Sequence, residues 1–248
     1  YLQKAQEENP KAELALTLIQ TQLQIEQGQY DSALGRLESV YALHPRHPMV
    51  LDQLRQVYLA REDWAALIDL APALRKVGKL TSVQEEALLH QAWIGRLEAA
   101  SGALETLRPV WQALPRKLRQ DPELLANYGD RLRRLGADSE AADLWLEALR
   151  KDPSPELFAR LPKLRLDDYQ PMLTLLKKIQ DQPGAEAALA RVYLLAGQLD
   201  DAQRLLEQEV AKRPEAALYH ALGQVMDKRR LTNKANEYYR QALQLADV

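Results

Sequence analysis

Apolar residues recur along this chain at intervals of three and four, in runs that end at a single glycine or proline. That period belongs to helices with one buried face. The clearest stretch covers 125–153. Leu125, Tyr128, Gly129 and Leu132 fall at helical spacing, and Gly136 ends the run. Ala141, Trp145 and Ala148 then form a second stripe, which Pro153 stops. The pattern predicts two helices joined by a tight turn. Gly129 and Ala141 are small enough for the two to cross closely, and Trp145 is expected to fill the space against the next pair. One pair cannot bury both of its faces, so the unit should recur.

It does. Gly28, Tyr30, Ala33 and Pro45 hold the relative places of Gly136, Asp138, Ala141 and Pro153, and Trp64 lies 34 residues after Tyr30. Ala190, Tyr193, Gly197, Ala202, Leu206 and Pro214 mark another unit, and Tyr219, Leu222, Gly223, Ala235, Tyr239 and Ala242 a last one. Small residues at the crossings, a closing proline and a period of about 34 residues define the tetratricopeptide repeat. The predicted fold is therefore all-α: a tetratricopeptide repeat solenoid, a right-handed superhelix of antiparallel helix pairs. Residues 1–9 read as the truncated end of a preceding repeat helix, and 10–248 as a single solenoid, irregular at 81–120 and 154–182. Ser82 with Glu85 suggests a capping box in the first irregular stretch. Pro72 and Pro109 lie inside helices that they should disturb. Pro155, Pro162 and Pro171 chop the second irregular stretch into what reads as a shortened pair.

Composition changes little. The chain of 248 residues is 46% hydrophobic and 27% charged, with a formal net charge of -2, which gives no reason to expect nucleic acid as a partner. The absence of cysteine removes disulfides, thiolate metal sites and cysteine nucleophiles. No apolar run reaches the ~18 residues of a membrane span. The first residue is Tyr1, and the chain reads as a piece of a longer protein.

Candidate chemistry is sparse. Glu85 and Glu86, or Asp167 and Asp168, are adjacent acids that point to different sides of a helix, and no glycine-rich loop cradles a phosphate. An enzyme is not expected, and neither a resident cofactor nor a metal. His44 and His47 flank Pro45 and Arg46 between repeats; two imidazoles at that spacing could touch a haem edge or a metal, although the prolines account for the segment as a rigid turn. Arg131, Arg133 and Arg134, and later Lys228, Arg229 and Arg230, close the first helices of two repeats. In this type of repeat the first helices line a groove. Counting along each helix puts Asn127, Arg133, Arg134, Arg191, His220 and Gln224 there, with Lys228 beside them. An amide with several guanidinium groups suits a peptide carboxylate or an acidic segment; the alternative is a solvated face with internal ion pairs. The amphipathic end helix from Asn236 lacks an obvious polar cap, which suggests self-association.

Several stretches resemble one family. His44-Pro45-Arg46-His47-Pro48 with Val50-Leu51, Trp64 with Leu67-Ile68-Asp69, Gln91-Ala92-Trp93-Ile94-Gly95, and the Leu161-Pro162-Lys163-Leu164 corner look like the C-terminal repeat region of HemY, a proteobacterial inner-membrane family encoded with late haem-biosynthesis genes. The resemblance spans most of the chain and includes its irregular parts. It implies an N-terminal membrane anchor of two helices upstream, a repeat domain on the cytoplasmic face, and association with a late step of protohaem synthesis without an established catalytic site. No residue set carries over with it. The function expected is a scaffold that binds partner proteins, late haem-biosynthesis enzymes among them, in its groove. The alternatives are a haem- or porphyrin-binding protein and a general receptor for peptide tails.

Overall fold

A computed structural model describes residues 10–246. The expected helix end at 1–9 lies outside the described residues, as does the last part of the end helix beyond Ala246. Every regular element among the described residues is helical. The chain divides between Leu114 and Pro115 into two compact units.

The first unit holds α1 (Pro10–Glu26), α2 (Tyr30–Leu43), α3 (Pro48–Ala60), α4 (Trp64–Lys76), α5 (Ser82–Ala99) and α6 (Leu104–Ala113). Neighbours in sequence are neighbours in space, and α1 also packs on α3, so that first helix stacks on first helix. The buried aliphatics Leu37, Leu51, Leu54, Leu67 and Leu74 close the core. Tight turns between the helices of a pair come at Gly28 and Glu62, 34 residues apart, both with φ above zero. Glu62, at φ 55°, holds a conformation that glycine adopts more cheaply. The capping box of α5 sits one residue earlier than the sequence suggested. Thr81 accepts from the Gln84 amide at 3.2 Å, and the Gln84 side chain accepts from Thr81 N–H at 2.9 Å. Glu85 instead turns inward and accepts from Arg75 Nη1 of α4 at 2.8 Å. Pro72 and Pro109 lie within α4 and α6, which continue through them.

The second unit opens with a 3-10 turn (Leu118–Gln120) and continues with α7 (Pro122–Arg134), α8 (Asp138–Lys151), α9 (Pro155–Phe158), a 3-10 turn (Leu161–Lys163), α10 (Gln170–Lys178), α11 (Ala185–Leu195), α12 (Leu199–Lys212), α13 (Ala216–Lys228) and α14 (Thr232–Ala246). The irregular stretch resolves into the shortened pair. Its stub α9 packs on α7 and α11, as a first helix would, while α10 packs on α8 and α11. Trp145 does not reach outward as expected. Its indole lies across Gly129 of its own pair, where a Cβ would collide with the ring, and its Nε1 donates to Leu125 O at 2.9 Å. Tyr239 covers Gly223 in the same way in the last pair.

Candidate functional site

Stacking sets the first helices α7, α9, α11 and α13 of the second unit side by side, each in contact with the next. Asp121 anchors this row by accepting the N–H groups of Glu123 and Leu124 at 2.9 and 3.0 Å, which fixes the start of α7. Asn127, Asp130 and Arg133 follow at three-residue steps and share one side of the helix.

Asp130 is the hub. Arg160, just past α9, donates Nε to Asp130 Oδ2 at 2.9 Å and Nη1 to Glu156 O at 2.9 Å. Arg133 Nε lies 3.8 Å from Asp130 Oδ1. One carboxylate thus serves two guanidinium groups, and buried Arg133 Nε has no hydrogen bond of its own. Asn127 Oδ1 is buried without a partner as well. The basic run 131–134 splits three ways: Arg131 is buried and donates weakly to Asn127 O at 3.5 Å, Arg133 joins Asp130, and Arg134 stands exposed at the helix end with no ion pair among the described residues. Arg160 escaped the sequence reading, because nothing in the local pattern shows that the stub α9 packs on α7.

Arg191 lies on α11, half-buried. Burial pushes its guanidinium below the usual arginine range, and no carboxylate among the described residues pairs with it. On α13, Lys228 Nζ donates to Leu194 O of α11 at 3.1 Å, meeting the carbonyl-rich end of that helix. Gln224 is exposed. His220 is exposed too, but it does not join the arginines: its ring stands 5.5 Å from that of Tyr239 and lines a trough of about 580 Å³ along α13 and α14. The Tyr239 hydroxyl donates to Asp227 Oδ2 at 2.6 Å. Burial first, and then this bond, push Tyr239 up to about 12.

The remaining candidates are scattered. His44 closes α2 and is exposed; His47 precedes α3, half-buried, with Nδ1 enclosed and unbonded. Among the described residues no three His, Asp, Glu or Cys side chains are grouped so as to hold a metal. Asp168 accepts from Gln170 N–H at 2.8 Å and starts α10, and Glu85 is paired with Arg75. No described helix is long and apolar enough to cross a membrane.

The fold and this row of side chains define an all-helical repeat protein with a charged face on its stacked first helices. No family model matches the chain. It is similar to Protein HemY of Escherichia coli K12, with 23% identity over 251 residues, covering 99% of this chain and 63% of the relative. Protein HemY of Escherichia coli O157:H7 and of Shigella flexneri show the same identity and coverage. The chain thus spans 63% of the length of these curated relatives. The HemY resemblance read from stretches along most of the chain is the one that the whole-chain comparison returns.

Proposed function

We propose that the face formed by α7, α11 and α13 binds a carboxylate-bearing segment of a partner protein, and that the chain works as an interaction scaffold and not as an enzyme. The observation that carries this reading is Arg191, a half-buried guanidinium with no counter-charge among the described residues. A cation kept partly desolvated and unpaired is costly unless a ligand supplies the missing acceptor. Asn127, Gln224 and exposed Arg134 offer further polar contacts along the same helices, and the carboxylate of a peptide suits such donors through charge-assisted hydrogen bonds.

Following the HemY resemblance, the proposal puts this scaffold at the inner membrane, with the repeats on the cytoplasmic side, in connection with a late step of protohaem synthesis. Affinity capture from native membranes with the full-length protein tests it. Late haem-synthesis enzymes should come down with the native protein and be lost with Arg134→Glu combined with Arg191→Glu. Recovery unchanged in the double variant would overturn the assignment of the face.

A further inference from the structure

The first unit sorts its charges between its two edges. Its neighbouring helices are joined by short turns and run antiparallel, so the turns that link one pair to the next, after α2 and after α4, share one edge, and the turns inside the pairs share the other. Lys79 of the second linking turn reaches the start of α3, where its Nζ lies 3.9 Å from Met49 Sδ. Around the two linking turns, residues 39–51 and 70–84 hold Arg46, Arg75, Lys76 and Lys79 and no acid. The other edge is the reverse. Residues 26–31, 60–64 and 98–105 hold Glu26, Asp31, Glu62, Asp63, Glu98 and Glu105, and their one cation, Arg61, pairs with Asp31. The second unit is not sorted in this way, since Lys151 adjoins Asp152 and Arg213 stands two residues from Glu215 where its pairs are linked.

The basic edge also carries apolar tips. Leu43 at the end of α2, Met49 at the start of α3 and Val83 at the start of α5 are 77, 45 and 75% exposed. Arg75 is engaged by Glu85, and Lys79 lies 4.0 Å from Asp52, but exposed Arg46 and Lys76 have no ion pair among the described residues. Separate aliphatic side chains on helix ends, set among long cations, suit a partner that yields around each of them. A bilayer surface does so: the aliphatics enter the headgroup boundary while lysine and arginine stay among the phosphates. The acidic edge is repelled by the same phosphates, which fixes the way the unit faces.

We propose that this edge of the first unit rests on an anionic lipid surface, with Leu43, Met49 and Val83 in the interface and Arg46, Lys76 and Lys79 against lipid phosphates. The inference rests on the charge pattern of the first unit and not on the binding face proposed above.

Co-sedimentation of the full 248-residue chain with vesicles tests it. The native chain should bind vesicles of phosphatidylglycerol and phosphatidylcholine in equal parts, ignore pure phosphatidylcholine, and come off as salt rises. Arg46→Glu with Lys76→Glu should weaken binding at least about tenfold, and Leu43→Ser with Val83→Ser severalfold. Arg150→Glu with Lys178→Glu makes the same change in net charge on exposed sites of the second unit and should retain binding; circular dichroism will verify that each variant keeps its helices. The chain has no cysteine of its own, so a fluorophore on Val83→Cys reads insertion directly. Its emission should shift to the blue on the anionic vesicles, while the same label on Gln27→Cys at the acidic edge should not shift. A native chain that ignores the anionic vesicles would overturn the proposal and leave this edge to an acidic protein. Equal loss in the second-unit variant, or a shift at position 27 as large as at 83, would overturn it too, because binding would then follow net charge and not this edge.

Discussion

The two units close the seam between stacked first helices with different chemistry. In the first, neutral side chains do it. Thr21 of α1 donates to Gln53 Oε1 of α3 at 2.6 Å, and Gln53 Nε2 donates to Leu18 O at 2.9 Å and to Gln22 Oε1 at 3.3 Å, with Thr21 and Gln53 both buried. In the second, charges do it: Arg160 and Arg133 converge on Asp130, and Lys228 bonds to the end of α11. A neutral network can satisfy itself and offers nothing further to a ligand. The charged seam does not balance, because Asp130 is shared by two arginines and Arg191 meets no carboxylate among the described residues. The repeat register is shared by both units, so the difference lies in the residues placed on it and not in the backbone.

The glycine crossings should give the largest effects. Trp145 covers Gly129 within one pair, whereas in the first unit Trp64 of α4 covers Gly95 of the following pair. Gly129→Ala and Gly95→Ala should each cost about 1–3 kcal/mol or more in denaturant unfolding, because a rigid indole occupies the place of the new methyl. Gly35→Ala should do the reverse. That helical glycine faces open space, so alanine there should stabilise by about 0.4–1 kcal/mol.

The seams come next. Gln53→Leu should cost about 1–3 kcal/mol with little dependence on salt, since it removes the buried amide's bonds to Thr21, Leu18 and Gln22; the Thr21 hydroxyl keeps the carbonyls of Thr17 and Leu18 as acceptors. Asp130→Asn in the partly exposed second seam should cost less, within about 1 kcal/mol, and its effect should shrink as salt rises. Equal salt dependence for the two would erase the contrast between the units.

The smallest effect is a pH dependence at Tyr239. Its hydroxyl is pushed up to about 12 in the fold, above the ~10 of an unfolded tyrosine. The folded state therefore favours the protonated phenol. That contribution is complete below about pH 10 and is lost as pH rises through 12. Unfolding midpoints measured between those limits should fall more steeply for the native chain than for Tyr239→Phe.

Much of this architecture was legible in the sequence because the repeat writes itself in small residues and turn-makers. Gly28, Gly136 and Gly197 end first helices at φ above zero, and Gly129 and Ala141 are buried at a crossing. What the pattern could not show was direction and pairing. Trp145 reads as apolar whichever neighbour it meets, and only the geometry turns it onto Gly129. Helical spacing put Arg133 and Arg191 on the right helices, but whether each finds a carboxylate depends on contacts across the stack, such as the one Arg160 makes 30 residues away. His220 shares the register of the other groove candidates and ends in a trough instead, because no further pair covers α13 among the described residues.

Position-specific photo-crosslinking in cells tests the central claim most directly. Photoreactive residues at positions 134 and 224 would sit on exposed first-helix sites of the second unit, and one at 56 on a first helix of the first unit. The account predicts partner adducts from 134 and 224 that disappear with Arg191→Glu, and none from 56. Adducts from 56 alone, or adducts from 134 and 224 indifferent to Arg191→Glu, would contradict it.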